Sequence, residues 1–197
     1  MLHNLSLAKK IHIALVFIAI IFLSTTIIFF YFDEKELADG FVERNLESIA
    51  LNYFDSVNTM MLTGTIANRQ LIQQKILSQQ DIVEARIIRG PKVREIFGDG
   101  FDDQKATTDF ERNGLAGIKA FNQVKRDGKR MMEFIMPMQA KSDYRGTNCI
   151  ACHQAKENEV LGAVKITYDL TNVDKNIMKS ITKVGLLQLV ITVISFS

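Results

Sequence analysis

From Ile11 to Phe32 the chain runs 22 residues without a formal charge, carrying one histidine, His12. A stretch of this length can cross a bilayer as a single helix. It follows Lys9 and Lys10, and basic flanks stay on the cytoplasmic side. A cleaved signal peptide has a shorter apolar core and a small-residue cleavage site, whereas Phe32 leads straight into Asp33-Glu34-Lys35. Residues 1–10 therefore read as a cytoplasmic N-terminus and 11–32 as an uncleaved transmembrane helix. A second apolar run opens at Val184, after Lys179 and Lys183. Leu186, Leu187, Leu189, Val190, Ile191, Val193, Ile194 and Phe196 leave it no polar face. Residues 184–197 are too few for a span, so they are expected to be the start of a second transmembrane helix, truncated here. Residues 33–183 lie between, suited to one exported domain. The net charge of +2 says little about partners, and nucleic acid is not expected among them.

Cys149-Ile150-Ala151-Cys152-His153 reads C-x-x-C-H, the attachment signature of a c-type haem. Two cysteines three apart can each form a thioether to one edge of a porphyrin. The histidine after them is placed to ligate the iron. Other uses of the pair fit less well. A zinc site needs four ligands, or three plus water. This chain has no third cysteine, and its other histidines, His3 and His12, lie at the far end. A thioredoxin-like dithiol belongs in a βαβ setting, whereas the flanks here read as loop. A disulfide across two residues closes too short a loop to remove much entropy from the unfolded chain. One covalent haem c is thus the expected cofactor, on Cys149 and Cys152, with His153 as the proximal iron ligand. Such a haem is attached after export, which agrees with the membrane layout and makes the cytochrome c maturation machinery an expected partner.

In the middle segment, Leu37, Phe41, Leu46, Ile49, Tyr53, Phe54, Val57, Met60 and Met61 recur at helical spacing. They predict that the first apolar helix continues to about Leu62, with Gly64 as its stop. A second helix is expected over 66–78. Residues 81–97 predict two short strands broken at Gly90-Pro91, with Gly98-Asp99-Gly100 as a turn. A helix is expected over 101–119, capped near Thr107, Thr108 or Asp109. The runs 120–124 and 130–138 predict a hairpin around Asp127-Gly128. Lys125, Arg126, Lys129 and Arg130 crowd that turn, either as a solvated tip or as a contact for anionic lipid. The loop 141–159 carries the haem motif. A strand over 160–170 and a polar, helical connector over 171–183 complete the order. This order predicts an α+β fold with an antiparallel sheet. Two membrane helices bracketing one exported domain is the layout of a transmembrane receptor.

Several stretches beyond the motif carry a family resemblance: MLTG at Met61 to Gly64, ARIIRG at Ala85 to Gly90, FGDG at Phe97 to Gly100, PMQA at Pro137 to Ala140, DYRGTNCIACH at Asp143 to His153 and VLGAVKITY at Val160 to Tyr168. Together they span nearly all of 50–170. The chain resembles the periplasmic haem c sensor domains, PAS-like in fold, of methyl-accepting chemotaxis proteins, sensor kinases and cyclases. The resemblance implies a PAS-like antiparallel sheet with a long N-terminal helix, flanked by two transmembrane helices. It implies a bacterial inner-membrane protein with its haem domain in the periplasm, a role in signal transduction such as chemotaxis, and detection of redox state or a diatomic gas. It also implies a homodimer, with N-terminal helices exchanged between subunits as one form of it.

The second ring nitrogen of His153 is expected to be held by a carbonyl or carboxylate that fixes the tautomer. No exported histidine is left for the sixth iron position, since His3 and His12 lie on the wrong side of the membrane or inside it. Methionine, water or an open position remain. Met61 is the first choice, at the end of the long helix and in the stretch that matches the family's M-L-T-G, and Met60 the second. Both serve equally as core filling. Methionine raises the reduction potential, and a weak Met–iron bond leaves room for O2, NO or CO. Arg86, Arg89, Tyr144 and Arg145 are candidate contacts to the haem propionates, each otherwise a surface or sheet-packing residue.

Two functions of different classes fit these residues. One is the sensory part of a membrane receptor; the other is a membrane-anchored monohaem c-type cytochrome that passes electrons. No convincing distal acid–base pair is present, so a haem enzyme is not expected. The helix from Ile11 to Met61 would be a rod of roughly 75 Å. A Met61–iron bond at its end, and His153 just before the last strand, would tie the iron to both membrane segments.

Overall fold

The computed structural model describes residues 6–195. Residues 1–5, His3 among them, and Phe196 lie outside that range. The described chain forms two compact units, one of residues up to Gly40 together with those from Asn172 onward, the other Phe41–Thr171. Its fold is α+β, with a long N-terminal helix and a four-stranded antiparallel sheet.

Helix α1 (Leu7–Leu62) contains the predicted apolar and amphipathic stretches without a break. In the larger unit its buried apolar positions are Val42, Leu46, Ala50, Tyr53 and Val57, spaced by three and four as one helical face requires. The helix stops where expected. Gly64 takes the left-handed conformation (φ 68°), and Thr65 N donates to Met60 O at 2.8 Å, which satisfies a terminal carbonyl. A single turn of 3-10 helix over Ile66–Asn68 leads into α2 (Arg69–Leu77).

Strand β1 (Ile82–Arg89) follows. The strand expected after Gly90-Pro91 is instead helix α3 (Pro91–Phe97). Its physical cause is Pro91 at the first helical turn, where the missing N–H costs nothing and the fixed φ suits a helix. The helix expected over 101–119 is likewise broken. A 3-10 turn at Asp102–Gln104 precedes α4 (Asp109–Leu115). Thr108 caps α4, its Oγ1 accepting from Glu111 N while the Glu111 carboxylate accepts from Thr108 N, a reciprocal capping box.

The hairpin forms as read: β2 (Ala120–Arg126) and β3 (Lys129–Gln139) pair around Asp127 and Gly128, both at positive φ (51° and 76°), as a tight primed turn demands. Helix α5 (Cys149–His153) lies in the loop before β4 (Val160–Asp169), and α6 (Thr171–Ser195) ends the described chain. The sheet order is β1-β4-β3-β2, every pair antiparallel.

Side chains alternate between sheet faces. On one face Ile88, Ile135 and Ala163 pack with Phe110 and Leu115 of α4. Gly114 allows this close approach, because a Cβ there would lie 2.2 Å from Ile135 Cγ1. The same face holds an ionic cluster. Lys165, 3% exposed, donates to the fully buried Glu111 at 2.9 Å and lies 3.2 Å from Glu84. Arg86 Nη1 donates to Glu111 at 2.8 Å and to Glu84 at 3.2 Å. The opposite face carries Ile87, Arg89, Met138 and Gly162.

In the smaller unit, the N-terminal part of α1 and the helix α6 are each long and apolar enough to cross a membrane. Their apolar side chains are exposed, Phe17, Phe22, Phe29, Leu187 and Ile194 among them. Thr25, Thr26 and Thr192 bond their hydroxyls to carbonyls one turn back, so these polar groups need no outside partner.

Candidate functional site

The C-x-x-C-H stretch folds as the short helix α5. Residues three and four apart share one side of a helix, so Cys149, Cys152 and His153 face the same way. Asn148 starts the turn by accepting from Ala151 N at 3.0 Å. Gln154, in the left-handed conformation (φ 47°), ends it. Both cysteines are free thiols; Cys149 is buried and Cys152 exposed.

All three side chains line one cavity of about 380 Å3 in the larger unit. That volume falls within the range of cofactor pockets, roughly 300–1,000 Å3. Across from α5 the walls come from α1 (Phe54, Val57 and Met61), the sheet (Ile87 and Met138) and Phe97 of α3. Most of this lining is apolar. The ring of Phe97 meets that of His153 edge-on, with centroids 5.5 Å apart.

His153 is half-buried, and its Nδ1 is buried with no hydrogen-bond partner. The carbonyl or carboxylate expected at the second ring nitrogen is therefore not there at Nδ1. Burial lowers the His153 pKa, favouring the neutral imidazole that binds metals. Met61, 38% exposed, lines the cavity, and Met60 does not. Met138, 6% exposed, is a second thioether in the wall.

The four predicted propionate contacts are scattered. Only Arg89 lines the cavity, with Nη1 donating to Phe97 O at 3.1 Å and Gly98 O at 2.9 Å. Arg86 is on the far face of the sheet, committed to Glu84, Glu111 and the carbonyls of Asp103 and Lys105. Tyr144 and Arg145 instead join the motif loop to α1. Tyr144 Oη donates to Asp55 at 2.8 Å, and Arg145 Nη1 bonds the other carboxylate oxygen. Burial, then the Asp55 carboxylate, pushes the Tyr144 pKa up to about 12, so it stays a donor. Beside this clamp the buried Asn58 Nδ2 donates to Thr147 Oγ1 at 3.0 Å, and Phe54 packs edge-on against Tyr144.

Arg69, Tyr53, Gln73 and Asp103 also line the cavity and were not among the expected residues. Arg69 had one faint signal. It is a cation in the first turn of a helix that has no acid there, against the preference set by the helix dipole.

No protein-family model matches the chain, and comparison with curated proteins finds no match either.

The donor set passes a chemical test for a covalent haem. Two thiols and an imidazole share one face of a helix, and an apolar cavity with the thioethers of Met61 and Met138 in its wall lies against them. Among the described residues no group of three or more His, Cys, Asp and Glu could hold a bare metal ion.

Proposed function

We propose that Phe41–Thr171 is a PAS-like haem c sensor domain, held on the periplasmic side of a bacterial inner membrane by α1 and α6. Its signal is redox state or a diatomic gas. One observation carries this reading: Cys149, Cys152, His153 and Met61 line the same cavity. When bound, a haem would supply one-electron redox chemistry and an iron able to exchange a ligand.

Each residue then has a role. Cys149 and Cys152 would form the thioethers, and His153 would ligate the iron. Met61 would be the candidate for a second, displaceable iron ligand. Phe54, Val57, Ile87 and Phe97 would keep water from a bound porphyrin. The Asp55 clamp and the Asn58–Thr147 bond set the position of α5 against α1. Exposed apolar surface on both flanking helices supports burial in lipid. Loss or gain of the Met61 bond gives a signal a route into α1, provided the helix pair has two states with different ligand affinity.

The test is an absorption spectrum of the haem-loaded full chain, oxidised and reduced, with and without carbon monoxide and nitric oxide. A six-coordinate ferrous spectrum that shifts with gas is expected, and Met61→Ala should retain haem but lose the methionine ligand's signature. A spectrum unmoved by either gas, with fast reversible reduction, would favour the electron-transfer alternative. Unchanged spectra in Met61→Ala would remove Met61 from the iron.

A further inference from the structure

Arg69 and Arg89 stand out among the charges on the cavity wall. Arg89 is fixed by two carbonyls. Arg69 lies with its guanidinium carbon 4.2 Å from the centroid of the Phe101 ring, and its Nη2 is buried with no hydrogen-bond partner. Burial first, then repulsion from Arg69, lowers the Arg89 pKa. Both guanidiniums line the same cavity, and one has an idle, desolvated donor. Such an arrangement is costly unless an anion completes it.

Asp103 also lines this wall, where its carboxylate accepts from Gln73 Nε2 at 3.4 Å. It does not reach Arg69 Nη2, which is left unpaired. Two arginines and one aspartate leave the wall one positive charge in excess. Tyr53, with its pKa raised to about 12 by burial and then by Asp103, remains a neutral hydroxyl there.

We infer that Arg69 and Arg89 form a carboxylate subsite of this cavity and that its occupants are the haem propionates. The inference rests on the haem reading above and adds the residues that hold the porphyrin's anionic edge. A planar guanidinium matches a carboxylate with two parallel N–H donors. The thioether and carboxylate edges of one porphyrin would then be gripped by α5 on the one hand and by α2 with the end of β1 on the other. Positive charge near the iron also favours the ferrous state, so the pair would raise the reduction potential.

The test uses haem-loaded full chain carrying Arg69→Gln, Arg69→Lys or Arg89→Gln, with Arg112→Gln, an exposed residue paired to Asp109, as the control. Covalent haem is measured by mass, the potential by redox titration, and the propionate hydrogen bonds by the propionate-bending band in resonance Raman spectra. Expected are retained haem and about tenfold less reduced protein at fixed potential in Arg69→Gln and Arg89→Gln, which is about 59 mV for one electron. The Raman band should shift in the same two variants. Arg69→Lys should fall between them and wild type, and Arg112→Gln should match wild type. Wild type without covalent haem would defeat the haem reading itself. Haem-loaded wild type, with potential and Raman band unmoved in both Gln variants, would defeat the subsite alone. Saturable binding of succinate to haem-loaded wild type, lost in Arg69→Gln, would assign the pair to a free carboxylate and overturn the propionate assignment.

Discussion

Glu111 is a fully buried carboxylate that two cations share, Lys165 at 2.9 Å and Arg86 at 2.8 Å. Burial works to raise its pKa, but the amide of Thr107, the Lys165 ammonium and the Arg86 guanidinium outweigh that and hold it at about 2. A carboxylate whose folded pKa lies below its ordinary value of 4.5 stabilises the fold above that value. The contribution is lost as pH falls from about 4.5 towards 2. Glu84, whose pKa is also lowered, adds to the same acid slope. Glu111→Gln leaves Lys165 and Arg86 buried with one anion fewer. It should cost about 3 kcal/mol in denaturant unfolding at neutral pH and flatten the loss of stability in acid. An unchanged midpoint at neutral and at acid pH would show that Glu84 and Glu133, whose Oε1 lies 3.7 Å from Lys165 Nζ, suffice.

At this scale the sequence was legible where spacing carries the chemistry. Cys149, Cys152 and His153 fall on one side of a helix because three and four residues make a turn. Arg86 and Arg89, three apart on a strand, fall on opposite faces for the same kind of reason. Only the second lines the cavity, a distinction that strand alternation alone carries. Arg69 was not legible, since its importance comes from an unpaired atom inside a cavity that no motif marks.

Between elements, the motif loop is held to α1 by Tyr144 and Arg145 on Asp55 and by Asn58 on Thr147. Asp55→Ala removes the shared acceptor while leaving every cavity residue in place. It should raise amide exchange and protease cleavage across residues 141–159, with a stability loss of about 1 kcal/mol. Exchange confined to other segments would place the anchoring of the loop elsewhere. The long helix, the hairpin and the last strand were readable from periodicity and from Asp127-Gly128. The stretch after Gly90 was misread because its composition suits a strand, while Pro91 at the first turn suits a helix. Thr108, one of the expected caps, opens a helix that starts only at Asp109, so the expected helix over 101–119 is shortened at both ends.

At the scale of the whole molecule, the proposed function requires that the cavity beside Cys149 and Cys152 take a covalent haem. The measurement that tests this most directly is the intact mass of the chain after expression with the cytochrome c maturation system. It should be read beside the pyridine haemochrome spectrum and repeated for Cys149→Ala with Cys152→Ala. The account predicts one haem per chain that survives acidic organic extraction and is absent from the double variant. A wild-type chain at its unmodified mass, with both thiols still free to alkylate, would contradict it.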